Sequence, residues 1–246
     1  MKFFNLDSPL MKFLSRMTDI LWLNILTLVC VILVIPAGAG FTALHYVCLK
    51  MVRDEEGYIT KDFFKSFKTN FKQSTVIWLI SVLVACVLAF DYKALMEIPT
   101  GRPVIFAAIT AASIFIFMTF LYVFPVLSHF ENTIRGTIKN AFFMSILALP
   151  KTILMALLTA LPLALIYMVE RFQTAAWIIP LTVLFWFSAP AYFSAKLYST
   201  TFKKFEPETS KTEVDDFAWT VSETDEENKT EENEMEEIEE KEEAEN

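Results

Sequence analysis

Five apolar stretches, at residues 18–35, 73–90, 104–126, 152–169 and 175–195, constrain this chain more than any other feature. A bilayer core about 30 Å thick takes roughly 17–25 mostly apolar helical residues to cross. Each stretch has that length, and charged residues such as Asp19 stand only at or near its ends. The expected fold class is all-α: a polytopic integral membrane helical bundle of about five transmembrane helices.

Composition agrees. Hydrophobic residues make up 54% of the 246, and 24 residues are Phe, whereas long helices around a soluble core keep a polar stripe. The net charge of −8 averages two unlike regions. Residues 1–205 carry 18 Lys and Arg against 10 Asp and Glu, and residues 206–246 carry 3 Lys against 19 acids. The chain therefore divides into a transmembrane helical domain, 1–205, and an acidic C-terminal tail, 206–246. The tail is too poor in apolar residues to fold alone and is expected to be disordered. Nothing in this pattern suits a nucleic acid. Cys30, Cys48 and Cys86 are odd in number and scattered, and read as small apolar residues instead of disulfides or metal ligands.

Lys2, Lys12 and Arg16 precede the first stretch, and Ala37-Gly38-Ala39 fits a signal-cleavage pattern. Cleavage there would leave residues 40–72 outside, yet they carry Lys50, Arg53, Lys61, Lys65, Lys68 and Lys72. Cytoplasmic loops collect such charge, so residues 18–35 read as a retained span that ends at Pro36. With five alternating spans, one side receives 6 Lys and Arg and the other 12. The expected location is the cell membrane, with the N-terminus outside and the tail in the cytoplasm. Whether residues 36–52 lie at the interface or re-enter the membrane stays open.

Residues 61–72 form the most readable surface element. At 100° per residue, Phe63, Phe64, Phe67 and Phe71 share one arc, and Lys61, Lys65, Lys68 and Lys72 cluster opposite. Four Phe against four Lys is the pattern of a cytoplasmic amphipathic helix on an anionic leaflet, with membrane lipids as its partners. A Phe face packed on the bundle, with solvated Lys, gives the same pattern, and both readings stand. A fainter echo follows Pro125, where Ile134, Ile138, Ala141 and Phe142 share a face beside Arg135 and Lys139. The unit of span, Pro, connection, basic helix and span thus occurs twice, at 18–90 and 104–169, as in parallel transporter repeats.

Candidates for chemistry are few. No phosphate loop, G-x-S-x-G or H-E-x-x-H appears. His45, His129 and Glu131 lack a metal-ligand spacing and suit a polar boundary, and Asp91 and Lys93 an interface. No ionisable residue lies deep in a span, which argues against a proton-driven pump. No cofactor, metal site or enzymatic activity is expected. Pro162, Pro180 and Pro190 kink or break the last two stretches, shaping either packing or a cavity. In the tail, Phe217 and Trp219 between Asp215, Asp216 and Glu223 form a candidate docking motif.

Three segments carry a resemblance: Pro36-Ala37-Gly38-Ala39-Gly40-Phe41-Thr42-Ala43-Leu44-His45-Tyr46, then Lys50-Met51-Val52-Arg53-Asp54-Glu55-Glu56-Gly57, then the Phe-Lys run from Phe63 to Gln73. Together they resemble the YesL family, best over residues 1–90 and more loosely to about 205. The resemblance implies a small multispanning protein of Gram-positive bacteria, often encoded beside genes for carbohydrate uptake and polysaccharide degradation. It brings no catalytic or binding residues. The function it implies is an accessory or regulatory component of carbohydrate uptake and utilisation, with a carbohydrate permease or a second copy of the chain as partner. The alternative is a small oligomeric transporter.

Overall fold

A computed structural model describes residues 9–55, 57–97, 102–172 and 177–205. The described residues form eight helices and no strand: α1 (Pro9–Ile32), α2 (Ala37–Arg53), α3 (Ile59–Glu97), α4 (Arg102–His129), α5 (Ile134–Leu147), α6 (Leu149–Phe172), α7 (Ile178–Leu184) and α8 (Ser188–Phe202). The chain divides into two units, Met1–Thr201 and Phe202–Asn246; of the second, only residues 202–205 are described. The fold described below is that of the first.

Four helices are long and apolar enough to cross a bilayer: Leu10–Ile32, Ile59–Leu95, Pro103–His129 and Leu149–Arg171. They correspond to the first four apolar stretches. The fifth is not one helix. It breaks at residues 185–187 into α7 and α8, whose third residues are Pro180 and Pro190. In a first turn the missing proline N–H leaves no intrahelical bond unmade, so each proline starts a helix instead of kinking one. Pro125 and Pro162 do lie inside helices, α4 and α6. Pro125 therefore does not separate the third span from the connection, as the repeated unit has it: α4 runs on through it to His129.

The Gly/Ala-rich stretch after α1 is the helix α2, buried on Ala37, Gly38, Ala39, Gly40, Ala43 and Leu44 among others. Its glycines exist for close approach. A Cβ on Gly38 would sit 2.5 Å from the Ser74 carbonyl oxygen and 2.6 Å from Trp78 Cβ; one on Gly40 would sit 2.6 Å from Cys30 Cβ. The buried Thr42 and Ser74 hydroxyls, 2.9 Å apart, complete the α2–α3 seam. Phe41 joins this seam to the rest, its ring 5.6 Å from Trp78, 5.7 Å from Phe124 and 5.6 Å from Phe187.

Because Gly40 lies against Cys30 while Arg16 pairs with Asp54 at 3.2 Å, α2 runs back along α1. Trp22 Nε1 also donates to Thr60 Oγ1 at 2.9 Å. The start of α1, the end of α2 and the start of α3 thus meet at one end of the bundle. This corrects the expected alternation, which put the N-terminus outside and residues 40–72 in the cytoplasm. Side chains 3.2 Å from each other cannot lie on opposite sides of a bilayer. The alternation counted one leg between them where the chain makes two.

The break between α7 and α8 closes on α1. Asn24, 1% exposed, donates through Nδ2 to the Val183 carbonyl at 3.1 Å. Its Oδ1 accepts from the backbone N–H groups of Phe187 at 2.9 Å and Ser188 at 3.3 Å. Irregular backbone is tolerated at membrane depth only where something satisfies its polar groups, and one amide does so here. At the α5–α6 joint the Thr152 hydroxyl has a similar role, within 2.7 Å of the Ser145 carbonyl and 3.1 Å of that of Ala148.

Candidate functional site

Two surfaces of the first unit bring together residues with recognisable chemistry. The first is the end where α1, α2 and α3 meet. Asp62, in the first turn of α3, accepts from Lys50 Nζ at 2.9 Å and from the Gly57 backbone N–H at 3.3 Å. A carboxylate suits a helix N-terminus, and its hydrogen bond holds the Lys50 ammonium above the usual lysine range. Asp54 caps α2 in the left-handed conformation, φ 55°, and its carboxylate takes Arg16.

The Phe/Lys segment follows, and it is not a separate helix. It forms the first turns of α3, whose 39 residues measure about 58 Å at 1.5 Å each, nearly twice a bilayer core of about 30 Å. No Gly or Pro interrupts residues 59–97, so amphipathic segment and span share one axis. The four Phe do not form one uniform face. Phe63 is fully buried, Phe67 is half-buried, and Phe64 and Phe71 are exposed. Phe67 bridges them, its ring 6.3 Å from Phe63 and 5.4 Å from Phe71. Lys61, Lys65, Lys68 and Lys72 are all exposed. Docking on the bundle is thus concentrated at Phe63.

The second surface is a groove of about 870 Å³ between α3, α4 and α5. Its walls include Ile77, Val84, Leu88, Phe117, Phe120 and Val123, and α5 adds Arg135, Ile138, Lys139 and Phe142. The sequence marked these α5 residues as one basic amphipathic face, and the fold sets that face at the groove. Thr133 starts the helix, its hydroxyl accepting from the Gly136 N–H at 3.3 Å. Gln73 donates to the Asn132 carbonyl at 2.6 Å and so fixes α5 beside α3. The two copies of the suggested repeat differ here: the basic segment is continuous with α3 in the first, but is the separate α5 in the second.

Elsewhere, His45 Nδ1 lies 3.3 Å from the Tyr198 hydroxyl, joining α2 to α8. Among the described residues no three His, Cys, Asp or Glu gather as a metal could require. Phe217, Trp219 and the rest of the tail lie outside the described residues. Sequence reasoning missed Asn24. Its signal is a carboxamide within the first apolar stretch, which carries no charge and so does not stand out as an ionisable group in a span does.

Helices of this length and apolarity, and a break closed internally, define a polytopic helical membrane protein. Residues 17–92, which span most of α1, all of α2 and most of α3, match the family described as "Protein of unknown function, DUF624". Over 94 residues the chain is 33% identical to the protein named "Uncharacterized protein YesL" of Bacillus subtilis strain 168, a stretch covering 38% of this chain and 44% of that relative. Through this N-terminal portion the chain is similar to YesL and to the DUF624 family. It thus matches less than half the length of that relative. No solved structure matches. Neither the family's description nor the relative's name points to an enzymatic activity.

Proposed function

We propose that this chain is a non-enzymatic accessory or regulatory protein of the cell membrane, serving carbohydrate uptake and utilisation by lateral contact with a permease. The observation that carries this reading is α4. None of the residues in its most apolar 18-residue window is buried, and Val104, Phe106 and Phe115, which lie outside the groove, are all exposed. A stretch apolar on every side and left uncovered by its own chain, ahead of the buried Tyr122–Ser128, is suited to contacts within the bilayer. The sugar association rests on the YesL resemblance alone.

The broken α7–α8 pair favours the second reading, a transporter, because discontinuous helices line many substrate sites. Here, however, Asn24 already takes Val183 O, Phe187 N and Ser188 N, groups that a substrate would need. Uptake of labelled oligosaccharides, measured with one permease at a time and with or without this protein, separates the readings. The accessory role predicts an effect only when its permease is present, together with copurification of that permease. Uptake into permease-free vesicles carrying the purified chain would establish the transporter. No change in uptake of any sugar, with no permease retained, would sink the first reading.

Orientation belongs to the same proposal. With the start of α1 and the α2–α3 connection at one end, only Lys93, Arg102 and Arg171 of the 18 Lys and Arg in residues 1–205 fall at the opposite turns. The positive-inside rule then favours the cytoplasm for the N-terminus as well as for the acidic tail. In a chain whose three native cysteines are replaced, Lys93→Cys should react with an impermeant thiol reagent in intact cells. Lys12→Cys and Tyr58→Cys should react only after permeabilisation. Labelling of Lys12→Cys in intact cells would reverse the assignment.

A further inference from the structure

We infer that the groove between α3, α4 and α5 is a binding site for one anionic phospholipid, with the acyl chains along α3 and the headgroup at Arg135 and Lys139. The groove has a direction. Gln73 holds the start of α5 against α3, so Arg135 and Lys139 lie near Ile77 and Trp78. At the other end, Tyr92 joins α3 to α4 through Thr110 at 3.2 Å and Ser113 at 3.4 Å, beyond Leu88. From Ile77 to Leu88 is about 16 Å of helix, close to half of a bilayer core of about 30 Å. The groove therefore has the depth of one leaflet.

Its walls are more apolar than their composition suggests. Ser81, Ser113 and Thr119 each turn the hydroxyl into their own helix, bonding Ile77 O, Ile109 O and Phe115 O, each at 2.8 Å. What remains for an occupant is hydrocarbon. At the α5 end the character reverses. Arg135 and Lys139 are four residues apart, on one helix face, and both are exposed. Neither has an ion pair or hydrogen bond among the described residues; Lys139 Nζ only lies 5.9 Å from the Phe143 ring centroid. Two uncompensated cations at the mouth of a hydrocarbon groove complement a phosphodiester carried on acyl chains. A partner helix is the weaker fit, since a hydrophobic helix carries no anion to answer the two cations at the groove mouth.

The test uses the full chain, purified, delipidated and offered phosphatidylglycerol and phosphatidylcholine of identical chains, with bound lipid read by native mass spectrometry. Phosphatidylglycerol should be retained about 30-fold over phosphatidylcholine, about fivefold for each cation. Arg135→Gln with Lys139→Gln should bring that ratio near one without changing the melting temperature, because neither side chain has an ion pair or hydrogen bond to lose. Ala85→Phe, which fills the groove, should reduce binding of both lipids. Equal retention by the native chain, or an unchanged preference in the double variant, would overturn the assignment. A photoreactive phenylalanine analogue at position 85 in cells should yield lipid adducts. Adducts to a second copy or to another protein in their place would reassign the groove to that occupant.

Discussion

Asn24→Leu is expected to lower stability by roughly 2–5 kcal/mol, taking about 0.6–1.7 kcal/mol for each interhelical hydrogen bond within a membrane. Leucine removes three such bonds at once; the Val183 carbonyl keeps the Trp186 N–H at 3.4 Å, but the Phe187 and Ser188 N–H groups are stranded. These belong to the break between α7 and α8, where no intrahelical partner replaces the amide. Asn24→Asp should be intermediate: ionised, it still accepts from two N–H groups but cannot donate to Val183 and buries a charge, and protonation, which restores a donor, relieves both. Thr27→Ala serves as control, because that hydroxyl bonds only Leu23 O of its own helix, at 2.8 Å. Thermal unfolding in one detergent compares the three. A melting temperature for Asn24→Leu within a degree of the native value would mean that the break does not depend on this side chain.

The second large effect is expected at Gly38. Alanine there places a Cβ at 2.5 Å from Ser74 O and 2.6 Å from Trp78 Cβ, well inside contact distance. Overpacking of this kind costs about 1–3 kcal/mol even for one methyl group. Leucine should force α2 away from α3 and prevent assembly, seen as loss of the monodisperse species from membranes. A specific pattern accompanies the effect. Neither Ser74→Gly nor Trp78→Ala should rescue Gly38→Ala, because the obstructing atoms, a main-chain oxygen and a Cβ, survive both changes. Rescue by either would show that a side chain, and not the approach of the two helices, sets the limit.

Both sites bear on what could be read from sequence. Long apolar runs identify spans by a length that the bilayer imposes, and four of the five stretches are helices long enough to cross. The fifth has the same composition, but its continuity depends on whether a prolyl residue falls in a first turn and whether a distant side chain can cap the gap. Local periodicity carries neither fact. Helix α2 was hidden for a related reason: Gly38, Ala39 and Gly40 have poor helix propensity or little apolar bulk, and resemble a chain exit. Their smallness is a tertiary requirement, visible only once Ser74, Trp78 and Cys30 are beside them. Missing α2 then set the start of α1 and the α2–α3 connection on opposite sides, although Arg16 pairs with Asp54. On the surfaces, spacing alone placed Phe63 with its three neighbours, since a helical wheel assigns an arc but not the depth to which each residue sinks. The α5 face was legible as basic and amphipathic; the groove it completes was not, because α3 and α4 supply most of the wall.

The amide of Asn24 also dictates an order of events. Arg16 and Asp54 are 38 residues apart, so α1 and α2 can close on each other early, while most of the chain is still unmade. Asn24 must wait for partners 159 to 164 residues downstream. As domains assemble from the N-terminus during synthesis, the first helix carries an unanswered carboxamide until nearly the last one emerges. Completion of the bundle is therefore coupled to synthesis of the α7–α8 break. A chain cut short before residue 183 retains every long span but leaves its first helix exposing a polar group in a lipid environment, a mark by which membrane quality control can distinguish a chain lacking the α7–α8 break from one that has it.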